Sequence, residues 1–332
     1  MKKPNVAILG ATGAVGAEFI TLIGERNVPY ENLKLLASAR SAGTELVVNG
    51  QTYVVEEATP ESFDGIDIAL FAGGSISKTL APEAAKRGAI VIDNSSAFRM
   101  DPEVPLVVPE VNPEDILTHK GIIANPNCST IIMSLGLKPL HDLSPIKRII
   151  VSTYQAVSGA GKEGIEGKEM TANLLPTGSM PKHYPIAFNL IPQIDVFLDN
   201  DYTKEEMKMV NETQKILHDD SIQVVPTTIR VPVYRSHSES VLVETEEPVS
   251  VEDFRAACAN YPGLQVKDNP ANQEYPMPLY TSNKNDCEIG RIRKDLYNDK
   301  GMNFWIVGDQ IRKGAALNAL QIAEYIVEKQ AF

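Results

Sequence analysis

Residues 6–16 constrain the fold more than any other stretch. Val6-Ala7-Ile8-Leu9 is a short apolar run suited to a buried strand, and it leads directly into Gly10-Ala11-Thr12-Gly13-Ala14-Val15-Gly16. Val15, Phe19, Leu22 and Ile23 then recur at the spacing of one helix face. Glycines between a strand and a helix permit a tight turn and let backbone N–H groups approach a pyrophosphate at the helix N-terminus. Such glycines are a weak signal alone and a specific one in this strand–turn–helix context. Gly10, Thr12, Gly13, Ala14, Val15 and Gly16 are therefore the expected dinucleotide cradle. A second apolar run, Leu33–Ala37, ends in Ser38-Ala39-Arg40-Ser41 rather than in Asp or Glu. A guanidinium with flanking hydroxyls suits a ribose 2′-phosphate, which favours NADP over NAD at Ser38, Arg40 and Ser41. A solvated loop cation is the competing reading of Arg40. Phe71-Ala72-Gly73-Gly74-Ser75 closes a further strand and sets Gly73 on the cofactor side.

Strands at 66–71, Ile90–Asp93 and Ile122–Ala124 alternate with helices at 77–87 and 113–119, which predicts a mostly parallel, doubly covered sheet. Asn49-Gly50 between two alternating runs is a two-residue hairpin turn, with no role assigned to it. After residue 127 the texture changes. Helices are expected at 128–137, 207–217 and 250–258, the last opening with Ser250-x-x-Asp253. Strands are expected at 149–153 and across 227–243, a loop-rich stretch at 260–304, and a closing helix at 312–328. At 332 residues the chain has the length of about two domains. The fold class is α/β: a Rossmann-type doubly wound nucleotide domain (1–127 and 313–332) and an α+β domain (128–312).

Charge narrows the partners. A formal net charge of −12 disfavours nucleic acid and anionic membrane surfaces. Cys128, Cys258 and Cys287 are too scattered for a disulfide framework or zinc site, and His119, His141, His183, His218 and His237 show no ligand spacing. No metal is expected, and the setting is expected to be reducing and cytoplasmic. Met1-Lys2-Lys3 before an apolar stretch imitates a signal peptide, but Glu18 and several glycines interrupt it. Gly161-Lys162 and Gly167-Lys168 fail the phosphate-loop pattern. The Tyr-x-x-x-Lys pairs at Tyr30, Tyr280 and Tyr325 lie in the wrong places for a short-chain reductase.

Asn125-Pro-Asn-Cys-Ser-Thr130 puts Cys128 at the first turn of a helix, where Asn127 can cap and the dipole and free N–H groups favour a thiolate. The same N–H groups can stabilise an oxyanion formed when that thiolate attacks a carbonyl. A buried structural thiol is the competing reading. Cys258, beside Phe254, and Cys287, between Asp286 and Glu288, are expected to be inert.

With this loop the chain resembles the aspartate-semialdehyde dehydrogenases. The matching segments run in order from end to end: Gly10 to Gly16, Asp93-Asn-Ser-Ser-Ala-Phe-Arg99, Asn125 to Thr130, Gln155-Ala-Val-Ser-Gly-Ala-Gly161, Arg230-Val-Pro-Val-x-x-x-His237, Gly290-Arg-Ile-Arg-Lys-Asp295 and Arg312-Lys-Gly-Ala-Ala-Leu-Asn318. The resemblance implies an NADP-linked enzyme whose second domain is catalytic and dimerising, with a homodimer expected and a tetramer the alternative. It implies interconversion of L-aspartyl-4-phosphate and L-aspartate 4-semialdehyde with inorganic phosphate, on the route to lysine, threonine, methionine and isoleucine. On that resemblance Cys128 is the nucleophile, His237 the acid/base and Gln155 the orienter of the carbonyl. Arg230 and Glu205 hold the substrate carboxylate and amine, and Arg99 and Lys208 the phosphate. Ser158, Gly159 and Gln310 contact the cofactor, Gln310 standing where the family often has Asn.

Plainer readings compete at several positions. His237 also fits a hydrogen-bonded structural histidine, Glu205 and Lys208 a surface ion pair three residues apart on a helix, and Arg99 a loop cation. Arg230 and His237 are seven apart, which on an unbroken strand would place them on opposite faces; Pro232 and Arg235-Ser236 suggest a bend. Arg291 and Arg293 alternate on a strand without a catalytic role. The rival functions are N-acetyl-glutamyl-phosphate reductase, whose acylated amine would leave Glu205 without purpose, and a non-catalytic NADP-binding sensor.

Overall fold

In the computed structural model, which describes residues 2–160, 184 and 186–332, Val6–Leu9 (β1) is buried at every position, as a strand covered on both faces must be. Gly161, Lys162, Gly167, Lys168 and His183 lie outside the described residues. The chain divides into two units, Met1–Asn127 with Ala315–Phe332, and Cys128–Gly314.

In the first unit β1 is followed by Ala14–Arg26 (α1), Leu33–Ala37 (β2), Glu45–Val48 (β3), Gln51–Val54 (β4), Glu56–Glu57 (β5), Ile68–Phe71 (β6), Ser77–Lys86 (α2), Ile90–Asp93 (β7) and Ile122–Ala124 (β8). The sheet order is β5-β2-β1-β6-β7-β8, with every pairing parallel. With the β3–β4 hairpin set aside, this is the 3-2-1-4-5-6 order of the doubly wound dinucleotide fold, whose ligands bind where the winding reverses, beyond the ends of β1 and β6. Phe19, Leu22 and Ile23 of α1 pack on one face of the sheet together with Leu320, Ile322 and Ile326 of the C-terminal helix (Leu317–Glu328). Leu80, Ala81 and Ala84 of α2 cover the other face with Phe63 and Phe71. Asn49 and Gly50 both take positive φ (50° and 79°), as a type I′ turn requires. The expected helix at 113–119 is a 3-10 turn, Pro113–Thr118.

The second unit opens with Cys128–Leu143 (α3), longer than expected and continuous through Pro139. It continues with Ile146–Gln155 (β9), Lys204–Leu217 (α4), Gln223–Arg230 (β10), His237–Thr245 (β11), Val251–Ala259 (α5), Leu264–Val266 (β12), Cys287–Lys294 (β13) and Gly301–Gly308 (β14). Ser250 caps α5 by accepting from Asp253 N. The sheet order is β10-β9-β11-β14-β13-β12, parallel at its two ends and antiparallel between. Helix α3 covers one face, and Gly136 permits the approach: a Cβ there would lie 2.8 Å from the Phe304 ring.

Three expectations change here. The strand expected across 227–243 is two strands, β10 and β11, because Val231–Ser236 leaves the sheet and Ser236 turns back with φ +74°. The stretch expected to be loop-rich contains β12, β13 and the start of β14; the apolar run Phe304-Trp305-Ile306-Val307 hides its period-2 alternation. The closing helix starts as a π-turn, Arg312–Ala316, before becoming α-helical at Leu317.

Candidate active site

Strand register gathers the chemistry of the second unit at one end of its sheet. Arg230 ends β10 opposite Gln155, which ends β9, and His237 starts β11 opposite Gly308, the end of β14. The seven-residue separation of Arg230 and His237 is thus no obstacle, since they sit on two strands flanking β9. Cys128 is the first residue of α3 and is half-buried, so the sulfur is not walled off. Its Sγ lies 3.3 Å from His237 Nε2. Gly314, in the π-turn, permits close passage beside it, since a Cβ there would sit 3.0 Å from Cys128 Cβ.

His237 is fully buried, not a surface histidine. Ala156 N–H donates to its Nδ1 at 3.0 Å, so the neutral ring carries its proton on Nε2, facing the sulfur. Burial, reinforced by the Arg230 charge and opposed by Glu205, lowers its pKa to about 3. The ring is therefore neutral near pH 7 in the free site. Gln155 Nε2 donates to Glu205 Oε1 at 3.2 Å and lies 3.4 Å from His237 Nε2, while Thr153 Oγ1 donates to Gln155 Oε1 at 3.0 Å.

Arg230 is 7% exposed and donates from Nη1 to Ala156 O at 2.6 Å, leaving its buried Nε without a partner. Burial lowers its pKa against the raising effect of Glu205 and Cys128. A buried guanidinium edge with an unused N–H is a seat for a carboxylate. Glu205 is buried, and Lys208 Nζ reaches both Glu205 Oε2 (2.9 Å) and Asp195 Oδ2 (3.2 Å). This is a mostly buried triad rather than a solvated pair. Burial opposes the Lys208 charge, but the two carboxylates prevail and raise its pKa. Ser158 and Gln310 are buried neighbours: Gln310 Nε2 donates to Ser158 Oγ at 2.5 Å, and Gln310 Oε1 accepts from Ser236 N at 2.7 Å. Gln310 thereby ties down the turn that delivers His237. Gly159 lies in the 3-10 turn Val157–Ala160. Cys258 and Cys287 are wholly buried, and burial pushes the Cys258 thiol up to about 12, so it is inert as a nucleophile.

In the first unit the glycine loop has the shape an anion needs. Gly10 has φ +82°, and a Cβ on it would fall 2.5 Å from Ala72 O; one on Gly16 would fall 2.1 Å from Gly10 O. Gly13 occupies the N-cap of α1 with no side-chain cap and no acid in the first turn. Thr12, Ala14 and Val15 are half-buried along the same rim. Gly73 follows β6, where a Cβ would meet Ile76 and Leu9 at 2.7 and 2.9 Å. Ser38 and Arg40 are exposed and Ser41 half-buried on the turn after β2. Arg99 is not a loose loop cation: it is 8% exposed and donates from Nε to Asn125 O and from Nη2 to Asn94 O, each at 2.9 Å. Asn125, three residues before Cys128, also accepts from Asn318 Nδ2 at 2.7 Å.

Several residues escaped sequence reasoning. Asp195 shares Lys208. Buried Asp309 accepts from Asn283 N at 2.6 Å, from Ile311 N and Arg312 N at 3.0 Å each, and pairs with Arg235 at 2.5 Å. Glu239, two residues after His237 on β11, is fully buried with neither oxygen partnered, and burial raises its pKa well above the usual range. Glu56 and Glu57 flank the end of β2 from β5. No local pattern announces them: Lys208 is thirteen residues from Asp195, and Asn283 and Arg235 are 26 and 74 residues from Asp309.

A doubly wound nucleotide unit and a second unit carrying a cysteine–histidine pair define a class of oxidoreductase, the semialdehyde dehydrogenases. Residues 5–119 match the family model "Semialdehyde dehydrogenase, NAD binding domain" and residues 137–313 match "Semialdehyde dehydrogenase, dimerisation domain". The chain is 54% identical to the aspartate-semialdehyde dehydrogenase of Aquifex aeolicus over 98% of both chains, and 52% identical to that of Bacillus subtilis over 96% of both. A crystal structure of aspartate semialdehyde dehydrogenase II from Vibrio cholerae aligns with a TM-score of 0.93 at 46% identity, covering 98% of this chain and 99% of that one. The chain belongs to the aspartate-semialdehyde dehydrogenase family.

Proposed function

We propose that the protein catalyses the reversible, NADP-dependent reductive dephosphorylation of L-aspartyl-4-phosphate to L-aspartate 4-semialdehyde through an acyl-thioester on Cys128. The observation that carries this reading is the 3.3 Å approach of Cys128 Sγ to His237 Nε2, with Nδ1 pinned by Ala156 N–H. The Vibrio cholerae enzyme has been crystallised with ASA, and the Candida albicans enzyme (25% identical, TM-score 0.81) with NADP.

Arg230 would take the substrate carboxylate on its unpartnered edge with two parallel hydrogen bonds, and Glu205 the ammonium. Arg99 and Lys208 would hold the phosphate, Lys208 exchanging part of its grip on Asp195. The Cys128 thiolate then attacks the acyl carbon, the C–O bond to phosphate breaks, and a thioester remains, with Gln155 orienting its carbonyl. The Gly10–Gly16 turn would hold the pyrophosphate of the dinucleotide and Arg40 its 2′-phosphate, Ser158, Gly159 and Gln310 would be further cofactor contacts, and the chemistry the bound cofactor would supply is hydride transfer. His237 protonates the tetrahedral oxygen from Nε2 and recovers the proton as the C–S bond breaks, releasing the aldehyde and restoring the thiolate. A substrate carboxylate on Arg230 neutralises one charge that depresses His237, so binding itself raises the ring toward a working acid.

The protein would act as a cytoplasmic homodimer in the biosynthesis of lysine, threonine, methionine and isoleucine. No helix among the described residues is long and apolar enough to cross a membrane. Phosphate-dependent reduction of NADP with aspartate semialdehyde tests the reading. Turnover is expected with that aldehyde and not with N-acetylglutamate semialdehyde, whose acylated amine has no use for buried Glu205. The opposite preference would overturn it.

A further inference from the structure

Cys128 and His237 come from different elements of the second unit, and one buried carboxyl group lies between the chain segments that flank them. His237 opens β11 opposite Gly308, the last residue of β14, and Asp309 follows at once. The Asp309 side chain is fully buried. Its Oδ1 accepts from Ile311 N and Arg312 N at 3.0 Å each, as an N-cap satisfies the free N–H groups of a helix start. The Asp309 carbonyl accepts from Gly314 N at 3.0 Å across the same π-turn. That turn brings Gly314 against the nucleophile, since a Cβ on it would lie 3.0 Å from Cys128 Cβ. One oxygen of Asp309 therefore shapes the chain beside Cys128.

The other oxygen serves the histidine. Oδ2 accepts from Arg235 Nε at 2.5 Å and from Asn283 N at 2.6 Å. Arg235 stands two residues before His237. Between them Ser236 holds φ +74°, a left-handed conformation that strains a residue with a Cβ and persists only where its surroundings dictate it. Those surroundings are the Asp309-Gln310 pair and Ser282. Gln310 Oε1 accepts from Ser236 N at 2.7 Å, and Ser282 Oγ donates to Arg235 O at 3.3 Å. None of the four donors to the Asp309 carboxyl is Cys128 or His237, so this group acts on them through the chain.

We propose that Asp309, acting through Arg235, is a positioning residue that sets the 3.3 Å approach of Cys128 Sγ to His237 Nε2, a brace between the turn flanking the nucleophile and the turn that delivers the acid/base. The inference rests on the Cys128–His237 reading and deepens it. Loss of the Arg235 contact lets Ser236 relax and the ring drift from the sulfur, so the imidazole N–H no longer supports a thiolate. The test is alkylation of the free protein by iodoacetamide across the pH range, beside steady-state kinetics. Cys258 and Cys287 are wholly buried, so the reagent reads Cys128. Arg235→Ala keeps the Asp309 cap on the π-turn and removes a side chain that is 22% exposed, so the variant should fold. It should move the alkylation midpoint to higher pH and lower kcat about 10-fold or more, as a small misplacement of reacting groups does. KM for aspartate semialdehyde and affinity for NADP should stay within about twofold. Arg235→Lys should recover part of kcat. Asp309→Asn, which sets an amide donor among N–H groups, should shift the midpoint in the same direction, and its effect should add less than fully to that of Arg235→Ala. Arg230 and Glu205, whose charges act on His237, are unaltered in every variant, so the shift reads the position of the ring. An unmoved midpoint in Arg235→Ala, or a loss of NADP affinity and melting temperature in step with kcat, would overturn the proposal. Alkylation needs no substrate, so failure of the substrate assignment would leave the midpoint shift intact and is told apart from failure of the brace.

Discussion

At the residue scale, two buried acids and bases carry opposite pH signatures. His237, lowered to about 3 from an ordinary 6.5, binds its proton more weakly folded than unfolded. Its contribution to stability is complete above pH 6.5 and is lost as pH falls from there toward 3. Glu239 is raised, so it binds its proton more tightly folded, and stability is lost as pH climbs above the unfolded carboxyl range. Glu239→Gln should flatten that alkaline decline, and Glu239→Met should add about 1–3 kcal/mol, since an unpartnered buried polar group is removed. Urea denaturation across the pH range reads both, and an unchanged or steeper decline in Glu239→Gln would contradict the assignment. The His237 account makes a kinetic prediction too. In the direction of aldehyde oxidation, where His237 would take the proton, the acidic limb of kcat should lie at higher pH than that of kcat/KM, because the substrate carboxylate neutralises Arg230; coincident limbs would argue against it. Arg40→Ala should raise KM for NADP about 10-fold or more while leaving NAD nearly unchanged, as expected when one charge-assisted contact of about 1.5–3 kcal/mol is lost. Equal effects on both cofactors would remove the 2′-phosphate argument.

At the element scale, what was legible in the sequence is what is local. The β1–turn–α1 unit, the Asn49-Gly50 hairpin and the capped start of α5 each announce themselves within a few residues, because glycine conformation, turn chemistry and capping act over that range. The pairing of β10 and β11 around β9 was only partly legible: Pro232 and Arg235-Ser236 signal a bend, but only the register shows Arg230, Gln155 and His237 converging. Ser238-Glu239-Ser240 reads as a polar, solvent-facing strand, yet the fold buries Glu239 completely beneath α3. The Lys208 triad needs Asp195, thirteen residues upstream and invisible to helix spacing. Gly16 gives the sharpest test at this scale. A Cβ there would lie 2.1 Å from Gly10 O, which is backbone and cannot swing aside. Gly16→Ala should therefore part α1 from β1, lower stability by about 1–3 kcal/mol and weaken dinucleotide binding. Unchanged melting and unchanged NADP affinity would show that the close approach is not needed.

At the scale of the whole molecule, the order of strands explains where function resides. The first unit is a parallel sheet whose winding reverses at β1 and β6, and its glycine turn projects from that point. The second is a mixed sheet whose strand ends carry Gln155, Arg230 and His237 and whose cover helix starts at Cys128. The chain crosses from one unit to the other at Asn127/Cys128 and returns at Gly314/Ala315, so Cys128 and Gly314, on which a Cβ would lie 3.0 Å from Cys128 Cβ, stand at the two crossings. The account stands or falls on covalent chemistry at that first crossing. Protein incubated with aspartate semialdehyde and NADP in the absence of phosphate, quenched in acid and analysed by peptide mass spectrometry, should carry an aspartyl group on Cys128 that hydroxylamine removes. Cys128→Ser should show no adduct and no turnover while still binding NADP. An unmodified Cys128 during turnover, or a Cys128→Ser variant that remains active, would contradict it.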